Sequence, residues 1–276
     1  VLSSANSINF GRLAPQIAYY FSAYLDLLSS DQIELGEKVN FAVPTGNFGN
    51  ILAAYYAMRM GLPVGKLICA SNKNNVLTDF IRTGVYDKRR EFYKTMSPSM
   101  DILISSNLER LLFEISGRDA ARVRALMEAL AKEGVYSLSD AERAQVQELF
   151  CGDFCGEDET VETIYEFFEE YQYPMDTHTA CAMYAVENYR ARNEKDHTPA
   201  VVVCTASPYK FPQDVMYAIT GNDIKDSFKA IKHLNIATAM KVPKSLAKLR
   251  DKKVRFTAVS DKDKLYAAVL DFVDQK

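Results

Sequence analysis

The sequence predicts an α/β fold built on a parallel sheet, and three observations predict it. Short apolar runs recur at Val39 to Val43, Leu67 to Ala70 and Ala200 to Cys204. Stretches with a helical apolar stripe lie around them. The first run ends in a glycine-bearing turn that passes straight into a helix, Pro44-Thr45-Gly46-Asn47-Phe48-Gly49-Asn50. Strands in such alternation are covered by helices on their faces, and their ligands sit where strands end and helices begin.

The elements follow in order. Residues 14–28 read as a helix, with Ile17, Tyr20, Phe21, Tyr24, Leu25 and Leu28 on one stripe. A strand at 39–43 precedes a helix at 50–60, which stops at Gly61-Leu62-Pro63. Leu67 to Ala70 is the next buried run, and Asn72 to Asn75 forms a polar loop at its carboxyl end. From 107 to 172 the pattern turns helical: Leu108–Ile115, Ala120–Lys132, Ala141–Leu149 and Thr160–Phe168, with no strong strand between them. Ser139 or Asp140 caps the third of these, and Glu157-Asp158-Glu159 sits at the amino end of the fourth. This block reads as a helical insertion on one side of the sheet. Asp176-Thr177-His178-Thr179 caps a helix from Ala180 to Arg190. Ala200 to Cys204 is the most strand-like run, apolar enough for burial on both faces. A short helix closes at Met216 to Ile219; a strand-like Val254 to Val259 and a helix at 261–273 complete the chain. The expected organisation is 1–106 and 173–276 as the two parts of the α/β domain, with 107–172 inserted between them.

At 276 residues the chain can bury a large core. A net charge of −3 with dispersed Lys and Arg argues against a nucleic-acid binder. No apolar stretch reaches membrane-spanning length and no signal peptide opens the chain, so no membrane partner and a cytoplasmic location are expected. Five scattered cysteines, at 69, 151, 155, 181 and 204, fit free thiols better than a disulfide framework. The four-residue spacing of Cys151 and Cys155 suits one helix face. Without a second Cys pair, and with three histidines in the chain, buried small hydrophobes explain it better than a metal site. The chain opens Val1-Leu2-Ser3-Ser4-Ala5-Asn6 with no initiator Met, which reads as a piece of a longer polypeptide.

The turn after Val43 carries the chemistry. Strand, glycine loop and helix aim backbone N–H groups and a helix's positive end at one place, a geometry suited to phosphate. Gly46 and Gly49 serve close approach or positive φ. The loop is neither a Walker A nor a dinucleotide fingerprint. Alone, it fits a phosphate site or a plain strand-to-helix turn.

Three separated segments, with a fourth beside them, resemble threonine synthase of the longer bacterial and fungal type. Ser4-Ala5-Asn6-Ser7-Ile8-Asn9 resembles that family's opening of a central helix, and Pro44 to Asn50 its cofactor-phosphate loop. Thr205-Ala206-Ser207-Pro208-Tyr209-Lys210-Phe211-Pro212 is similar to its Thr-Ala-His-Pro-x-Lys-Phe segment, with Ser207 in place of His. Asp176-Thr177-His178-Thr179-Ala180 is similar to its Asp-Pro-His-Thr-Ala element, with Thr177 in place of Pro. The resemblance runs from residue 3 to about residue 275.

It implies fold type II among pyridoxal-phosphate enzymes, the architecture of the tryptophan synthase β chain. Pyridoxal 5'-phosphate would be the cofactor, its phosphate held by Gly46, Asn47, Phe48, Gly49 and Asn50 and its pyridine nitrogen by Thr205. Asn6, Ser7, Arg12 and Asn47 would form the pocket for the phosphate of the substrate, O-phosphohomoserine. Loss of the γ-phosphate and addition of water at the β carbon would give threonine and phosphate. Read without the family, Asn6 and Ser7 are a helix cap and Arg12 a surface arginine. Lys210 could touch phosphate or be solvated, and His178 reads better as a hydrogen-bonded structural residue than as a proton relay.

The family's Schiff-base lysine element, of Phe-Lys-Asp type, is absent from this sequence. The resemblance therefore implies the carboxyl-terminal portion of a threonine synthase, with the lysine expected upstream and the amino-terminal part of the same polypeptide as a partner. No catalytic residue is then assigned within the chain, which by itself is expected to be inactive. Two alternatives stay open: a threonine-synthase-like phospholyase that does not rehydrate, and a non-catalytic phosphate-binding module.

Overall fold

The computed structural model describes residues 8–255 and 257–274. Its central sheet has four parallel strands in the order β5-β2-β1-β6. These are β1 (Val39–Pro44), β2 (Val64–Ser71), β5 (Phe150–Phe154) and β6 (Ala200–Val202), with β3 (Val85–Asp87) and β4 (Val135–Ser137) pairing antiparallel in a separate ribbon.

Strand alternation divides the core into two layers, because successive side chains point to opposite faces. Val39, Phe41 and Val43 of β1, with Leu67 and Cys69 of β2, join the larger cluster. That cluster takes in the buried faces of α2 (Ile17–Ser29), α3 (Gly49–Arg59), α4 (Val76–Thr83), α5 (Leu108–Ile115) and α6 (Ala120–Lys132). A short α1 (Phe10–Leu13) leads into α2 through a 3-10 turn. Ala42, Ile68 and Ala70 face the other way, onto Ala182, Ala185, Val186 and Tyr189 of α9 (Thr177–Arg192). The small alanines let α9 lie close on the strands.

The expected absence of strands between 107 and 172 is corrected by β4 and β5, and β5 is an edge strand of the main sheet itself. Its sequence, Phe150-Cys151-Gly152-Asp153-Phe154, reads as a loop because tertiary contacts choose its residues. A Cβ at Gly152 would meet Thr78 Cα at 3.0 Å. Asp153, 4 % exposed, accepts from Arg82 Nη2 at 2.9 Å and from Arg192. Cys151 therefore sits on a strand, and no helix face joins it to Cys155. The rest of that block is α7 (Asp140–Leu149) and α8 (Glu157–Tyr171). Ser139 caps α7 in a reciprocal box with Glu142.

Burial of β6 on both faces is also corrected: it is an edge strand of intermediate exposure. α10 (Pro212–Thr220) and α11 (Ser227–Thr238) follow. The chain divides into two compact units at Met240/Lys241. The second contains α12 (Lys244–Ala247), a 3-10 turn and α13 (Leu265–Asp274). The strand expected at Val254 to Val259 does not form among the described residues; Val254 and Val259 are exposed, and Phe256 lies outside them. No helix among the described residues is long and apolar enough to cross a membrane.

Candidate functional site

β1, β2 and β6 all end at one edge of the sheet, and the glycine loop leaves β1 there. The loop, with Arg12, Gln16 and Ser99, lines a cleft of about 210 Å³. Its backbone decides between the two readings of the glycines. Neither Gly46 nor Gly49 has positive φ; the left-handed residue is Phe48, at φ 62° and ψ 4°, the amino cap of α3. That conformation strains a non-glycine residue by about 1 kcal/mol or more. The ring holds it there, 1 % exposed and 5.6 Å from the ring of Phe150.

The glycines serve close approach. A Cβ on Gly46 would lie 2.8 Å from Ser99 O and 3.2 Å from Met100 Cα. One on Gly49 would lie 3.3 Å from Asn107 Nδ2.

The loop's carbonyls are tied back. Ser105 Oγ donates to Gly46 O at 2.8 Å, and Asn107 N and Nδ2 both donate to Asn47 O at 3.0 Å. Its N–H groups are not: those of Asn47, Phe48 and Gly49 meet no acceptor among the described residues. α3 has no side-chain cap. A helix amino end with free donors is a ready anion site. Asn50 is positioned through its side chain, whose Oδ1 accepts from Tyr20 Oη at 2.6 Å. Burial pushes the Tyr20 hydroxyl pKa far up, so it remains a donor. Asn47 Oδ1 accepts from Ser106 Oγ at 3.3 Å.

A second loop, residues 95–101, backs the first. Asp101 Oδ2 accepts from Thr95 N at 3.0 Å, and its Oδ1 from Asn72 Nδ2 at 2.8 Å and Asn74 Nδ2 at 3.1 Å. Glu157 accepts from Met96 N at 3.0 Å, and burial raises its pKa. Thr177, where the family pattern has Pro, donates its hydroxyl to Met96 O at 2.8 Å, a bond that proline cannot make. His178 Nε2 accepts from Ser99 N at 3.1 Å, and its Nδ1 lies 3.1 Å from Asp176 Oδ1.

The remaining expected residues fall into three groups. Arg12 shares the cleft with Asn47, while Asn6 and Ser7 lie outside the described residues. Thr205 is exposed and follows β6 at the same sheet edge, where Val203 N donates to Ala42 O at 2.9 Å; it does not line the cleft. Lys210 is exposed, with its ammonium 5.2 Å over the Phe211 ring, and is not among the cleft residues. Ser207 caps the 3-10 turn that begins at Pro208. Sequence reasoning missed Ser99, Ser105 and Asn107. The polar run Ser105-Ser106-Asn107 before α5 was the available signal, and it reads as an ordinary helix start. No group of three or more His, Cys, Asp or Glu among the described residues could hold a metal ion.

Residues 179–273 match the family model "Threonine synthase, C-terminal". The chain is 43% identical over 228 residues to human threonine synthase-like 1, covering 82% of this chain and 30% of that protein. It is 36% identical over 274 residues to threonine synthase of Pseudomonas aeruginosa, covering 99% of this chain and 52% of that one. A pyridoxal-phosphate-bound threonine synthase from Brucella melitensis superposes with a TM-score of 0.82 at 37% identity, covering 98% of this chain and 52% of that chain. The chain thus spans about half the length of the synthases it matches, and its parallel α/β sheet has the fold of these type II enzymes.

Proposed function

We propose that this chain, which corresponds to the carboxyl-terminal portion of a threonine synthase, holds the cofactor phosphate and the substrate phosphate of a pyridoxal-phosphate-dependent synthase. One observation carries the reading. A helix amino end with three unmatched backbone N–H groups among the described residues opens into a cleft that also contains Arg12. That donor set fits a phosphate.

Pyridoxal phosphate, when bound, supplies the electron sink for elimination at the γ carbon and replacement at the β carbon of O-phosphohomoserine. This chain's residues bind and orient. Gly46 to Asn50 hold the cofactor's phosphate through backbone N–H groups and the dipole of α3. Thr205 offers a neutral hydroxyl to the pyridine nitrogen, which leaves that nitrogen free of an obligatory proton. Arg12, with Asn47, Asn6 and Ser7, takes the substrate's phosphate; a guanidinium fork suits its oxygens and steadies the charge left on departure. The lysine that would anchor the cofactor and serve as base at the α and β carbons is expected in polypeptide outside these residues, because the family's Phe-Lys-Asp type element is absent from this sequence.

A second reading keeps the fold and the phosphate sites and is that of a threonine-synthase-like phospholyase. On that reading the same phosphate sites serve an elimination without addition of water.

Turnover of O-phosphohomoserine by the longer polypeptide that carries this chain, with pyridoxal phosphate present, separates the two. The synthase releases threonine and phosphate in equal amounts. Arg12→Ala lowers kcat/KM by about 10²-fold, the loss of a charge-assisted pair. Phosphate release without threonine would select the second reading, and no turnover would leave a phosphate-binding module.

A further inference from the structure

His178 lies 1 % exposed at the start of α9, remote in sequence from the glycine loop, yet one loop separates the two in space. Its ring nitrogens are both spent. A proton on Nε2 would meet the Ser99 N–H head-on, so Nε2 carries its lone pair and accepts that donor at 3.1 Å. The proton therefore sits on Nδ1, 3.1 Å from Asp176 Oδ1. Asp176 also caps α9 through His178 N at 2.9 Å, which fixes the carboxylate and with it the ring. Phe211 covers the imidazole, its centroid 4.8 Å away, so the two segments around residues 176 and 211 meet on this ring.

The hold on Ser99 carries over to the next peptide unit. Across Ser99 Cα from the bonded N–H, the Ser99 carbonyl oxygen lies 2.8 Å from where a Cβ on Gly46 would be. Both ends of the 95–101 loop are anchored independently, by Thr177 and Glu157 at Met96 and by Asp101 at Thr95. The bond from Ser99 N to His178 fixes the middle, where the loop touches the glycine.

We propose that His178 is a positioning residue: as the Nδ1–H tautomer held by Asp176, it fixes Ser99 by its N–H, and with it the Ser99 carbonyl against Gly46, and so keeps the glycine loop in its phosphate-binding conformation. It touches no ligand. The identity of the phosphate as that of pyridoxal phosphate rests on the function proposed above; the relay from Asp176 to Gly46 does not.

The test compares His178→Gln with His178→Leu. Gln can place an acceptor oxygen near the position of Nε2, whereas Leu fills space without one. Hydrogen exchange is followed by mass spectrometry in peptides covering 97–101, 105–108 and 67–70. Affinities for pyridoxal phosphate and for pyridoxal, which lacks the phosphate, are measured alongside. In His178→Leu, exchange at 97–101 and 105–108 is expected to rise about tenfold while 67–70 is unchanged, the effect of one lost hydrogen bond; Asn107 N, which donates to Asn47 O, reports the glycine loop. The preference for pyridoxal phosphate over pyridoxal should fall by a similar factor, and His178→Gln should restore both. A wild-type exchange rate at 105–108 in His178→Leu would overturn the proposal. So would equal acceleration of all three peptides in both variants, which would make the ring a packing element only. If wild-type protein showed no preference for the phosphorylated compound, the cofactor reading would fail, and exchange alone would still decide the relay.

Discussion

Gly46→Ala is expected to abolish phosphate-dependent binding and to cost about 1–3 kcal/mol of stability, the range for forced overpacking. The added methyl would stand 2.8 Å from Ser99 O and 3.2 Å from Met100 Cα, both backbone atoms that cannot swing aside. Retreat of that loop would break the bonds from Ser99 N to His178 and from Thr177 to Met96 O. Movement of Gly46 instead would break the bond from Ser105 Oγ. Gly49→Ala makes the control. Its Cβ would meet Asn107 Nδ2, a side-chain atom, at 3.3 Å, which a small shift can relieve. Urea denaturation and a pyridoxal-phosphate titration of the two variants should separate them, with Gly49→Ala the milder in both.

Asp176→Ala is expected to be more destabilising still, by about 3 kcal/mol, with loss of the phosphate site as a secondary effect. The carboxylate is 1 % exposed and accepts from His178 N, His178 Nδ1 and Thr179 Oγ1. Its removal takes away a helix cap, worth about 1 kcal/mol, and leaves the imidazole N–H and the Thr179 hydroxyl buried without their acceptor. Asp176→Asn keeps the shape and one acceptor and should recover part of the loss. Chemical denaturation followed by circular dichroism reads both; an Asp176→Ala variant within about 0.5 kcal/mol of the parent would contradict the description of this cap.

How much of this was legible in the sequence depended on the distance over which each feature is decided. The glycine loop is local: strand, Gly46, Gly49 and the apolar stripe of α3 lie within a few residues, and their pattern implies their geometry. Of close approach and positive φ, both open at the glycines, the first holds; the positive φ at Phe48 was illegible because what holds it at 62° is its packing on Phe150, far along the chain. β5 was illegible for a related reason. Gly152 and Asp153 look like loop residues until Thr78 and the guanidinium groups of Arg82 and Arg192 are brought beside them. The supports of the site were hidden in the same way. Ser99 meets His178 across 79 positions and Ser105 meets Gly46 across 59, and nothing local to either serine marks it. Thr177 was visible as a departure from the family pattern, but its bond to Met96 O was not.

The central claim is that the N–H groups around the amino end of α3 hold a phosphate. A titration of the 15N-labelled chain with pyridoxal phosphate, followed through its amide resonances, tests it most directly. The largest shifts are predicted at Asn47, Phe48, Gly49 and Asn50, moving downfield as each N–H gains an anionic acceptor. Shifts concentrated elsewhere, such as the cationic cleft lined by Lys66, Arg82 and Arg192, with the glycine-loop amides unmoved, would contradict it.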